Sequence, residues 1–187
     1  MKRILLFATA IALSLNTYAQ DEAAMKAWME YATPADMHKM MGKYNGHWEV
    51  KTKMWMAPGA EAMESTAQAT NDMYMGDRYQ KSKFTGEFMG MPFNGESTTG
   101  YDNMRKVFTT TWIDNTGTGI MYAEGKWDAA KKSIEYKGMA SDPMAGKQMA
   151  FREVMTFTDD NTYTMEMYNM MGDKEFKSME MTFTRKD

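Results

Sequence analysis

The sequence predicts an all-β protein. The expected architecture is an antiparallel up-and-down barrel of about ten strands, similar in outline to a lipocalin, preceded by one or two short N-terminal helices. Three observations predict it. From Gly46 almost to the last residue, apolar and polar side chains alternate with a period of two, the signature of strands with one face turned inward. The alternating runs are separated by short turn-like breaks, which force neighbouring strands to pair antiparallel. Ten strands in one open sheet would leave two unpaired edges, and closing the sheet removes them. A β-sandwich is the alternative architecture.

The 187 residues suit one domain behind an export leader. Lys2 and Arg3 supply a positive start, Ile4 to Leu15 form an apolar run, and Thr17-Tyr18-Ala19 offers small residues for cleavage after Ala19. Residues 1–19 are therefore expected to be a cleavable signal peptide. The run is shorter than the roughly 20 apolar residues that a membrane span needs, so no integral membrane segment is expected after processing. The chain has no cysteine, hence no lipid-modified cysteine to tether it, no disulfides and no thiolate metal site. A periplasmic or secreted protein is the expected product.

Residues 20–44 form the expected helical segment. Met25, Trp28 and Met29 fall at helical spacing. Thr33-Pro34-Ala35-Asp36 then reads as a second helix start, with Thr33 as cap, and Gly42 as its end. Residues 45–187 form the expected barrel domain. Its first strand carries Trp48, Val50, Thr52, Met54 and Met56 on one face, and Pro58-Gly59 ends it. Nine similar runs follow, broken by Gly76-Asp77, Met89 to Pro92, Asn103, Asn115 to Gly117, Asp128 to Ala130, Asp142-Pro143, Asp159 to Asn161 and Gly172-Asp173. A barrel of more than about eight strands is wide enough to hold a small ligand.

Net charge is −3, with the charges scattered and no basic stripe. Neither nucleic acid nor an anionic membrane surface is an expected partner.

Several segments resemble a bacterial family, domain of unknown function 1579. They include Lys53 to Ala60, Met63-Glu64-Ser65-Thr66, Met89 to Phe93 and Thr99 to Asn103. Thr111 to Asp114, Gly117 to Met121 and Arg152 to Phe157 continue the likeness. The resemblance spans Gly42 to Lys186 and implies no particular activity. More distantly, Gly46-His47-Trp48 resembles the Gly-x-Trp that opens the first strand of lipocalin and fatty-acid-binding barrels. In lipocalins an arginine near the end of the last strand packs over that tryptophan. The resemblance implies that Arg185 stacks on Trp48 here, as a structural plug at one end.

Candidate chemistry is sparse. Only two histidines exist, His38 and His47, neither beside a nucleophile motif, and both are expected at the rim or in solvent. No histidine stands on a late strand, so no haem of the nitrobindin kind is expected, nor any other cofactor. Glu153 shares a strand face with Met149, Phe151, Met155 and Phe157. Facing inward, it would be a buried acid in need of a partner, which Asn71, a threonine or Arg185 would supply. One acid without a paired base specifies no reaction, so a non-enzymatic role is preferred.

The 25 methionines are the unusual feature. Met54/Met56, Met73/Met75, Met89/Met91, Met165/Met167 and Met179/Met181 are spaced to share a strand face. Met is flexible and polarisable and suits an adaptable apolar lining. Pairs spread over many strands argue against one tight metal site. The candidate cavity residues are Met54, Asn71, Trp112, Glu153, Met155, Met165, Met167 and Met179, with Tyr101, Tyr136 and Phe157 as further aromatics whose facing the sequence leaves open. The expected ligand is a small hydrophobic or amphipathic molecule. The alternatives are Cu(I) or Ag(I) held by methionine pairs, an enzyme using Glu153, and an interaction domain with a filled core.

Overall fold

The computed structural model describes residues 21–171 and 174–186. The leader expected at residues 1–19 and the turn expected at Gly172-Asp173 lie outside the described residues. Two compact units divide at Thr33 and Pro34. In the first, residues 21–32 form helix α1. Lys26 reaches Glu30 one turn on, at 4.0 Å, and the Trp28 and Tyr31 rings lie 5.9 Å apart.

The second unit begins with helix α2 (Asp36–Lys43). Thr33 does not cap it. Its backbone N–H and its hydroxyl both donate to the Met29 carbonyl, so Thr33 closes the preceding helix instead. Ala35 takes the cap position, and its N–H donates to Nδ1 of His38 at 3.0 Å. His38 is buried, with its ring edge against Tyr101. It is thus a packed residue on α2 and not the solvated or rim histidine the sequence suggests. Burial holds its pKa below the ordinary imidazole value.

Ten strands follow. They are β1 (Gly46–Met54), β2 (Met63–Tyr74), β3 (Tyr79–Phe88), β4 (Met91–Asp102) and β5 (Val107–Asp114), then β6 (Met121–Asp128), β7 (Ser133–Asp142), β8 (Lys147–Asp159), β9 (Thr162–Met171) and β10 (Lys174–Lys186). Each pairs antiparallel with its sequence neighbours, and β1 pairs with β10 to close an up-and-down barrel. Closure leaves no edge strand to cover.

One end is plugged by packing. Trp48 is 0% exposed, and its indole N–H donates to the Tyr44 carbonyl at 3.1 Å. The rings of Tyr44, Phe157, Tyr163 and Phe183 gather beside it, with Tyr163 stacked on Phe183 at 4.1 Å. The Arg185 guanidinium lies 4.4 Å over the Trp48 ring. It donates to the carbonyls of Lys43, Asn45 and Asp160, which ties the α2–β1 link to the β8–β9 turn. Helix α2 covers the same end: Met41 is buried, and the Gln80 amide donates to its carbonyl at 2.7 Å.

The inner wall follows from register. Gly125 pairs with Tyr136, and a Cβ at Gly125 would sit 2.7 Å from the tyrosine ring, so the glycine makes room for that ring. A β-bulge interrupts β10 between Lys177 and Met179. Strict alternation would put Lys177 on the inward face with Met179, Met181 and Phe183. The extra residue turns it outward instead, where its ammonium meets Glu166 at 3.0 Å and Glu180 at 2.6 Å.

Candidate functional site

The barrel encloses a cavity of about 360 Å³, at the lower end of the usual range for small-molecule sites. The interior is therefore not filled by side chains. Met40 and Met41 of α2 reach it from the plugged end, with Tyr44, Tyr163 and Phe183 of the plug beneath.

All eight candidate residues border this space. Register groups them. Across β1, β10, β9, β8 and β7, the directly paired residues Met54, Met179, Met167, Glu153 and Tyr136 form one inward row. One step nearer the plug, Thr52, Met181, Met165, Met155 and Ile134 form the next. Directly paired residues on one face stand about 4.5–5.5 Å apart. Six methionines therefore share one patch of wall with Glu153 among them. This corrects the expectation that methionines on many strands do not converge, because closing the barrel brings strands from both ends of the chain side by side.

The methionine pairs themselves divide. Met165/Met167 and Met179/Met181 both face the cavity. Met54 faces it too, but Met56 lies past the end of β1 and is exposed. Met75, Met89 and Met91 are also exposed, the first two at positive φ in turns. Turn formation overrides the alternation there. Trp112 lines the far wall, with its indole N–H on Asp114 at 2.6 Å. Tyr136 and Phe157 border the cavity, whereas Tyr101 packs on Phe108 and His38.

Glu153 is the chemical centre. Its β8 neighbour Arg152 points outward, paired with Glu175 at 2.7 Å and stacked on Tyr168. Glu153 points inward and has no hydrogen-bond or ion-pair partner among the described residues. The partners expected for it are committed elsewhere. The Asn71 amide donates to the Tyr44 carbonyl and the Tyr163 hydroxyl, and Arg185 is held at the plug. Glu153 is half-buried and borders the cavity. Desolvation alone raises its pKa to about 7, and the carboxyl in turn adds to the burial that raises the Tyr136 phenol. Asn71 is buried, and its side-chain oxygen accepts no hydrogen bond among the described residues.

The other carboxyls at the cavity are Glu87, exposed toward the mouth, and Asp114. Burial opposes ionisation of Asp114, but bonds from Thr116 and Trp112 outweigh it and hold the pKa below the usual carboxylate value. Among the described residues, no Lys, Arg or His borders the cavity. Nor is any group of three or more His, Cys, Asp or Glu placed to hold a metal ion. No helix among them is long and apolar enough to cross a membrane.

The class defined by this fold is the closed antiparallel β-barrel with an internal cavity. A family model described as protein of unknown function (DUF1579) matches residues 33–185, and the chain belongs to that family. No curated protein matches the chain. Among solved structures, Rv2717c from M. tuberculosis is similar at 11% identity, with a TM-score of 0.60, covering 83% of this chain and 100% of that one. A redesigned β-barrel is similar at 13% identity, with a TM-score of 0.45, over 82% of this chain and 100% of the other. The likeness to Rv2717c speaks to the barrel fold alone.

Proposed function

We propose that the protein binds a small hydrophobic or amphipathic molecule inside its barrel. The observation that carries this reading is the cavity: a mainly apolar, methionine- and aromatic-lined space of about 360 Å³, plugged at one end and bearing few polar groups. Sites for small molecules have that general character. Flexible thioethers let such a wall adapt to its guest. The expected result is saturable one-to-one binding of the uncharged fluorophore N-phenyl-1-naphthylamine by the folded protein, and its absence would remove the reading.

A second reading has one observation in its favour. Six thioethers on adjoining strands are the donor type that Cu(I) and Ag(I) prefer. Leu at both Met165 and Met167 keeps apolar volume while removing sulfur. This double variant is expected to bind the fluorophore within a few-fold of the parent. If the parent instead binds Cu(I) below micromolar and the variant does not, the metal reading replaces the first.

Export to the periplasm or beyond belongs to the same proposal and rests on residues 1–19. Mass spectrometry of the protein from its native location is expected to show a chain starting at Gln20, and a retained Met1 would contradict export.

A further inference from the structure

The charged groups at the cavity are all of one sign. Glu87, Asp114 and Glu153 border it, and no cation does among the described residues. The arrangement is built into the strands. Lys177 would join the inward face by alternation, but the bulge at β10 sends it out to Glu166 and Glu180. Arg152, next to Glu153 in the chain, is held outside by Glu175. Arg185 is spent on three backbone carbonyls at the plug. A carboxylate guest would thus enter a low-dielectric space with no counter-charge and three acids for company, and burying an unpaired charge is costly.

Building on the binding reading above, we infer that the cavity selects an apolar amine, whose ammonium pairs with Glu153 while its hydrocarbon lies along the methionine wall. An ammonium brings three donors and no acceptor. Glu153 offers two oxygens with no partner among the described residues. The sulfurs of Met167, its direct cross-strand partner, and of Met155, two residues along β8, are weak further acceptors. Glu153 is in effect half of an ion pair whose other half the described residues do not supply. Desolvation raises its pKa, and no cation among the described residues offsets that shift. A fatty acid, the guest that the barrel shape first suggests, meets the opposite electrostatics.

The test is competition against the uncharged fluorophore at pH 8 by three ten-carbon guests that differ only in head group: decylamine, decanol and decanoate. Decylamine is expected to displace the fluorophore at a concentration at least tenfold below decanoate, with decanol between them. In Glu153→Gln the amine's advantage over decanol is expected to shrink below about threefold. Equal or better competition by decanoate in the parent protein would overturn the inference, as would an amine advantage that survives Glu153→Gln. Should that variant fail to fold, the head-group order in the parent protein decides alone. A protein that binds the fluorophore but shows the wrong order refutes only the amine. One that fails to bind the fluorophore refutes the binding reading as well.

Discussion

Trp48→Ala is expected to destabilise the barrel by about 3–5 kcal/mol, the range for removing a large buried aromatic. The ring is fully buried and makes three kinds of contact at once. It sits edge-on to Tyr163 at 4.8 Å, donates its N–H to the Tyr44 carbonyl and carries the Arg185 guanidinium on its outer face. Truncation leaves a cavity next to the plug and strips the guanidinium of its aromatic platform. Because Arg185 joins the α2–β1 link to the β8–β9 turn, the loss is felt where the barrel closes and not only at residue 48. Chemical denaturation of the two proteins measures it. A change under about 1 kcal/mol would mean that the plug does not hold that end.

Glu153 gives the second large effect, which is specific to pH. Its pKa moves from an ordinary 4.5 when unfolded to about 7 when folded. Below pH 4.5 the carboxyl is neutral in both states and costs nothing. Between 4.5 and 7 the unfolded chain gives up the proton while the folded protein keeps it, so stability falls as pH rises. Above about pH 8 both forms are ionised, and the native state is less stable by about 3 kcal/mol than if the group were neutral. His38, whose pKa is lowered in the folded state, works in the opposite sense: stability rises as pH climbs toward the ordinary imidazole value. The parent curve is therefore a sum of the two. The difference between the parent and Glu153→Gln cancels the histidine. That difference is expected to grow in favour of the glutamine variant by about 3 kcal/mol from pH 4.5 to pH 8. A gap that stays within about 1 kcal/mol would place the carboxyl in contact with solvent or with a counter-charge.

The barrel was legible because its signal is local. Period-two alternation repeats over ten strands, and each of the nine short connections argues for antiparallel pairing of the strands it joins. Parity along β8 likewise put Glu153 on the face of Phe151, Met155 and Phe157. What parity cannot carry is anything decided between strands or at a local irregularity. The bulge beside Ser178 leaves no mark in the alternation, yet it removes Lys177 from the inner wall. The convergence of methionines from β1, β8, β9 and β10 depends on closure and register, which bring together residues over a hundred positions apart, such as Met54 and Met179. Thr33 has the type and spacing of a cap. The preceding helix took its hydroxyl first, and the cap passed to Ala35 with a histidine nitrogen as its partner. Whether Glu153 had a partner was equally beyond the sequence, since Asn71 and Arg185 are engaged by backbone carbonyls that only the folded plug presents.

The central claim is that a guest lies inside the barrel against the methionine wall. Methyl NMR of protein labelled at the methionine ε-carbons tests it most directly. On addition of one equivalent of N-phenyl-1-naphthylamine, the methyls of Met54, Met155, Met165, Met167, Met179 and Met181 are expected to shift and saturate together. Those of Met104 and Met144, which are 74% and 96% exposed, are expected to stay where they are. Shifts confined to the exposed methionines, or no shift at any methionine that borders the cavity, would contradict the account.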